Sequence, residues 1–297
     1  MVSNADRPGT AGALAREAER VLAAAGVADP VRDAAILLAL AAGTSRERLH
    51  AHPESPVDAG ARERYRELVA RRAARVPLQH LTGVQEFWSL PFRVTPAVLI
   101  PRPETEHLIE ALLRLPLPPQ PVVVDLGTGS GCLAVVAARL LPDARVVATD
   151  ISSEALAVAR DNAARHGLGD RMRFLEGDLF AALDGSGLEG VVDLLITNPP
   201  YVPAADLDGL APEVRDHEPA HALTPGPDGL ALHRRIAAGA GGVLAPGGRL
   251  LAEIGFGQEA GARDLYAAAG LAVEAVHPDL AGIARVVQAR LPPRVAR

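Results

Sequence analysis

Between residues 122 and 254 short aliphatic runs alternate with helix-patterned stretches, and this rhythm constrains the fold more than any other feature. Residues 122–125, 145–150, 171–175, 194–197 and 249–254 read as strands. An alanine-rich helix through Leu141 follows the first, and a helix over 153–166 follows the second. Strands separated by helices rejoin one sheet by crossovers, which gives a doubly wound, mostly parallel α/β sheet. In such sheets the ligand sits beyond the carboxyl ends of the strands.

The first eighty residues carry a different pattern. Residues 11–25, 30–42 and 59–75 are rich in Ala, Leu, Arg and Glu, with apolar positions every three or four residues, as helices require. Pro30 suits a first helical turn, with Asp29 as its cap. From about 77 to 103, Phe87, Trp88, Phe92, Val94, Val98, Leu99 and Ile100 alternate with polar residues and prolines, a hairpin-like texture. The expected organisation is a helical domain over 1–80, a linker and hairpin over 81–105, and an α/β domain over 106–297.

Composition removes several function classes. Apolar residues make up 48% of the 297 and aromatics 3%, so the core is aliphatic. All 30 basic residues are arginine, against 36 acids, for a net charge of −6. A chain without lysine has no lysine nucleophile, Schiff base or phosphate-loop lysine. The acidic balance argues against a protein that coats nucleic acid. The single cysteine, Cys132, excludes an internal disulfide and a cysteine-built zinc site, and its apolar setting reads as packing. His217, His221 and His233 lack tight ligand spacing, and no metal is expected. No apolar run approaches the length of a bilayer span, and no basic head with an apolar stretch opens the chain. A soluble cytoplasmic protein is expected.

After the first strand comes Asp125-Leu126-Gly127-Thr128-Gly129-Ser130-Gly131. Glycines there let a ligand approach the main chain. A bare glycine loop fits dinucleotides as well as nucleosides. The Gly-x-Gly-x-Gly spacing departs from the dinucleotide fingerprint, and an acid directly before the loop suits a cationic amino acid better than a pyrophosphate. The pattern resembles S-adenosylmethionine-dependent methyltransferases. Asp150 ends the second strand, where a carboxylate can accept from both ribose hydroxyls. Asp178 follows the third strand, and Leu179 and Phe180 offer an apolar wall for the base.

Asn198-Pro199-Pro200-Tyr201 follows the fourth strand. Adjacent prolines lock the backbone and donate no main-chain hydrogen bonds. The two donors of a planar NH₂ group match the Asn198 side-chain carbonyl and the Pro199 backbone carbonyl. Tyr201 offers a ring face. These residues would hold an amide or amino nitrogen toward a methyl sulfonium, catalysis by positioning and polarisation. Adenine, cytosine and glutamine amides all qualify, so the tetrapeptide gives the reaction and leaves the substrate open.

Further segments narrow the choice. They are Gln79-His80-Leu81-Thr82-Gly83, Glu86-Phe87, Leu99-Ile100-Pro101-Arg102-Pro103-Glu104-Thr105-Glu106, Glu218-Pro219, Glu253-Ile254-Gly255 with Gln258, and Asp279-Leu280-Ala281-Gly282-Ile283. This set resembles the peptide chain release factor glutamine methyltransferases, the HemK/PrmC family, over roughly residues 75–290. The resemblance implies a Rossmann-like methyltransferase domain behind a five-helix N-terminal domain and a hairpin linker. It implies methyl transfer from S-adenosylmethionine to the side-chain N5 of the glutamine in the Gly-Gly-Gln loop of bacterial release factors. Gly127, Thr128, Gly129, Ser130, Gly131 and Asp150 would bind the cofactor, with Leu179 and Asn198 beside it. Asn198, Pro199, Pro200 and Tyr201 would hold the substrate glutamine. Leu179 stands where an aromatic is common, so adenine stacking is not expected from it.

Two readings compete with this one. A DNA amino-methyltransferase needs a basic groove, whereas residues 101–297 carry 17 arginines against 25 acids. A non-catalytic scaffold has no use for an intact Asn-Pro-Pro-Tyr. Residues 1–100 carry 13 arginines against 11 acids, so the charge points to a protein substrate engaged partly by the helical domain. The six arginines of 62–75 read as a solvated face or a contact for an acidic partner. A monomer is expected, with no stable nucleic-acid or membrane partner.

Overall fold

The computed structural model describes residues 7–293. They form two compact units, one containing the residues up to Gly83 together with Ala211–His217, the other Val84–Leu210 and the residues from Glu218 onward.

The first unit is helical: α1 (Ala11–Ala24), α2 (Pro30–Ala42), α3 (Arg46–Ala51), α4 (Ala59–Ala73) and α5 (Leu78–Thr82). Asp29 caps α2 as expected, its Oδ1 accepting from the Arg32 amide at 3.2 Å. Asp58 caps α4 in the same way at 2.9 Å. Leu14, Leu22, Leu37, Leu38, Tyr65 and Val69 close the core, and the Tyr65 hydroxyl donates to the Ala34 carbonyl at 3.0 Å. The sequence reading found the three long helices; α3 and α5 are too short to show a period.

Arg72 departs from the reading of the arginine stretch as a solvated or partner-binding face, whereas Arg64, Arg66 and Arg71 are exposed as a solvated face requires. Arg72 is buried, with Nε on Asp33 Oδ2 at 2.8 Å and an Nη on Glu213 Oε1 at 3.0 Å. Arg75 donates twice to Glu213, at 2.8 and 2.6 Å, and Arg64 donates to the Ala41 carbonyl at 2.8 Å. Burial opposes the Glu213 charge, yet hydrogen bonds from Arg75 and Arg72 bring its carboxyl down to about 2.

The second unit opens with the antiparallel hairpin β1 (Val84–Phe87) and β2 (Leu90–Arg93). Phe87 and Phe92 are fully buried in the same core as Leu108 and Val135, so the hairpin packs within this unit. The seven-stranded sheet comprises β3 (Val122–Leu126), β4 (Arg145–Asp150), β5 (Met172–Glu176), β6 (Val192–Thr197), β7 (Leu244–Glu253), β8 (Ala272–Pro278) and β9 (Ala284–Arg290). Its order is β5-β4-β3-β6-β7-β9-β8. The first five are parallel, and β9 runs antiparallel to both neighbours.

The helices of this part of the chain are α6 (Glu106–Leu113), α7 (Cys132–Leu140), α8 (Ser153–Arg165), α9 (Pro212–Arg215, in the first unit), α10 (Ala231–Val243) and α11 (Glu259–Ala268). Side chains alternate across each strand, so the sheet feeds two cores. Val123, Val146, Leu194 and Leu251 pack with α6, α7 and the hairpin. Val124, Val147, Leu195 and Leu250 pack with α10 and α11.

From β3 the chain builds outward through β4 to β5, then returns to place β6 on the other side of β3. The carboxyl ends of β3 and β6 are therefore neighbours at the switch point, where such sheets bind ligands. No helix among the described residues is long and apolar enough to cross a membrane.

Candidate active site

A cavity of about 300 Å³ opens at this switch point. One wall is the loop after β3. Gly127 and Gly129 take φ of 71° and 53°, and a Cβ on either would meet no atom within 4 Å. Both line the cavity with Thr128 and Ser130, so the main chain lies open to a ligand. Asp150, at the end of β4, also lines it. Asp150 Oδ2 accepts from the Gly129 amide and Oδ1 from the Ser152 amide, both at 2.9 Å. Each oxygen keeps a second lone pair for a hydroxyl donor.

Two members of the loop serve other ends. Gly131, expected among the cofactor contacts, does not line the cavity. Its Cβ would come within 3.0 Å of Ala159 Cβ and 3.1 Å of Ala159 Cα, so glycine is needed there for α7 to pack on α8. Asp125, expected beside a cationic amino acid, is fully buried behind the loop. Its Oδ2 accepts from the Thr128 hydroxyl at 2.6 Å, and its Oδ1 has no partner. Burial pushes the Asp125 carboxyl up to about 7, against the pull of Thr128.

Beyond β5, Asp178 and Leu179 line the cavity, and Phe180 does not. A Cβ at Gly239 of α10 would strike the Phe180 ring, which places that ring in the helix packing instead. Leu179 adopts φ of 51°, unusual for a leucine. Arg235 of α10 joins this wall and pairs with Asp178 at 2.7 Å.

The loop after β6 forms the opposite wall through Asn198, Pro199 and Pro200. Asn198 Nδ2 donates to Thr105 Oγ1 at 3.0 Å, which leaves its carbonyl oxygen for a donor in the cavity. Tyr201, expected to present a ring face, does not line the cavity. A Cβ at Gly255 would lie 3.0 Å from its ring, and its hydroxyl donates to Glu253 Oε1 at 3.1 Å. Gln258 fastens the same turn, donating to the Tyr201 carbonyl and accepting from the Gly255 amide, each at 2.8 Å.

The third wall is the strap through Pro101, Arg102 and Thr105. Glu218 holds it, accepting from Arg102 at 2.6 Å and from the Ile100 amide at 3.2 Å. Sequence reasoning assigned no site role to Thr105, Arg102, Glu218, Arg235 or Glu253. Most lie in the quoted motif segments, but nothing local says which strand or loop each will meet.

Cys132 borders the cavity, and burial pushes its thiol up to about 12, which disfavours the thiolate at neutral pH. His233 is fully buried, 2.8 Å from the Tyr266 hydroxyl. Among the described residues no group of three His, Cys, Asp or Glu side chains is placed to hold a metal ion.

Residues 13–83 match the model of the PrmC N-terminal domain, and residues 104–213 that of the methyltransferase small domain. A crystal structure of a methyltransferase from Pyrococcus furiosus superimposes with a TM-score of 0.53 at 18% identity, over 75% of this chain and 99% of that one. Fold and cavity thus define a Rossmann-like methyltransferase. S-adenosylmethionine is the cofactor of that class, and the open glycine cradle with Asp150 beside it fits that molecule. Release factor glutamine methyltransferases of Cereibacter sphaeroides and Moorella thermoacetica are 48% and 49% identical to this chain, over 91% and 90% of it and 95% and 93% of their own lengths. The chain belongs to the release factor glutamine methyltransferase family.

Proposed function

We propose that this enzyme transfers the methyl group of S-adenosylmethionine to the side-chain N5 of the glutamine in the Gly-Gly-Gln loop of bacterial release factors. The observation that carries the reading is one cavity bounded by both the glycine loop with Asp150 and the Asn198–Pro200 turn. Gly127, Thr128, Gly129, Ser130 and Asp150 hold the cofactor, with Leu179 at the base. Bound S-adenosylmethionine supplies an electrophilic methyl group on a cationic sulfur.

Asn198 and the Pro199 carbonyl take the two N–H donors of the substrate amide. That orients the nitrogen and draws electron density onto it. The amide nitrogen would take that methyl group and give up one proton to solvent water, while the sulfur would keep the electron pair of the broken carbon–sulfur bond. The polypeptide acts through acceptors alone, consistent with a chain that has no lysine. A soluble, cytoplasmic monomer that takes the release factor as its protein substrate fits this role.

The test incubates the enzyme with methyl-labelled S-adenosylmethionine and one of three acceptors: an unmodified release factor, the same factor with its loop glutamine replaced, or duplex DNA. Label is expected on the first alone. Label on DNA, or equally on the altered factor, overturns the reading.

A further inference from the structure

Glu253 ends β7 with 1% exposure, behind the acceptor turn. Its Oε1 accepts from the Tyr201 hydroxyl at 3.1 Å, and its Oε2 has no partner. The Thr105 hydroxyl also faces this carboxyl. That hydroxyl already accepts from Asn198 Nδ2 at 3.0 Å. An oxygen that accepts from Asn198 still has its own proton to give, and the carboxylate beside it can only accept. Given to the unpartnered Oε2, that proton would set a single polarity, from Asn198 to Thr105 to Glu253. With Nδ2 committed to Thr105, the Asn198 carbonyl oxygen is what remains for the cavity. A reversed chain would turn an NH₂ toward an incoming NH₂, donor against donor.

We propose that Glu253 is a positioning residue of the transfer site: as a carboxylate it fixes the direction of the Asn198–Thr105 hydrogen bond, so that Asn198 offers its carbonyl oxygen to the substrate nitrogen. The inference rests on the role given to Asn198 above. Burial pushes the Glu253 carboxyl up to about 7, while the Thr105 and Tyr201 hydroxyls and Arg285 pull it down and Glu104 pushes it further up. The groups facing it are Thr105 and Glu104 from the turn before α6, Tyr201 from the acceptor loop, Arg285 from β9, and Cys132 at the start of α7. Once protonated, Glu253 can donate to Thr105, and the fixed direction is lost. Turnover should then rise with pH through about 7 as the carboxylate forms.

The experiment measures cofactor affinity by calorimetry and kcat across pH 6–8.5 with an unmodified release factor, for wild type, E253Q, T105V, T105S and N198A. E253Q should bind S-adenosylmethionine within about twofold of wild type, with kcat reduced about 10- to 100-fold. It should also lose the rise near pH 7. T105V should reproduce the loss, and T105S, which restores the hydroxyl, should recover most of it. If E253Q does not fold, the T105V and T105S pair carries the test. Wild-type kcat and pH profile in E253Q or T105V, with N198A inactive, overturn the role of Glu253 alone. An active N198A overturns the Asn198 clamp beneath it.

Discussion

Gly127 and Gly131 stand four residues apart in one loop and answer to different constraints. Gly127 faces open space, and Gly131 presses on Ala159. A methyl group at 131 must displace helix backbone, which in a packed interior costs about 1–3 kcal/mol. Gly131→Ala should therefore lower the melting temperature clearly. Gly127→Ala carries only the left-handed backbone penalty, about 1–2 kcal/mol, but the residue lines the cavity, where an added methyl group competes with the ligand for space. Cofactor affinity should fall at least about tenfold, the equivalent of about 1.4 kcal/mol. Thermal denaturation and calorimetry on the two variants separate the effects. A Gly131→Ala protein of unchanged stability and weakened binding would contradict the division. The sequence shows three equivalent glycines, and only the approach of α8 tells them apart.

At the scale of elements, Asn162 of α8 has the widest reach. It is fully buried. Its Oδ1 accepts from the Arg93 amide at 2.7 Å, and its Nδ2 donates to the Arg93 carbonyl at 2.9 Å and the Ser130 carbonyl at 2.8 Å. One side chain thus ties the end of the hairpin and the cofactor loop to the same helix. Asn162→Leu keeps the volume and strands three backbone groups, each worth about 1–3 kcal/mol when buried without a partner. An overall loss of about 3 kcal/mol is expected in chemical denaturation, with faster amide exchange at both Arg93 and the 127–131 loop. Loss confined to one of the two segments would argue against a shared tether.

Asn162 also marks where sequence reading stops. The strands β3, β4 and β6 were legible because buried parallel strands are continuous aliphatic runs. Both functional loops were legible because glycine and proline fix local backbone. β8 and β9 were not read as strands: charged residues and two register shifts break their alternation. β7 begins at Leu244, five residues before the expected start, because Pro246-Gly247-Gly248 reads as a turn. The excursion through Glu213 carried no signal either, since its arginine partners lie 138 and 141 residues away.

Among the described residues, four groups displaced far from their ordinary pKa contribute strongly to the response to pH. Burial raises the carboxyls of Asp125 and Glu253 from 3.8 and 4.5 to about 7. The fold favours their protonated forms, so that stability is complete below about pH 4 and is lost as pH rises through 7. Two groups slope the other way. Burial lowers His233 from 6.5 to about 4, giving stability present above 6.5 and lost as pH falls through 4. Glu213, at about 2, adds stability above 4.5 that disappears only in strong acid. Between pH 4.5 and 7 the slopes oppose one another, and the wild-type profile alone cannot apportion them. Asp125→Asn can, because it keeps an acceptor for Thr128 and removes one titration. The stability of this variant minus that of wild type should grow steadily from pH 4.5 to 7 and level off above 8, for a total on the order of a few kcal/mol. Urea denaturation at half-unit pH steps reads this directly. A difference that stays constant over that range would mean that the Asp125 carboxyl is ionised throughout, held so by Thr128 despite its burial.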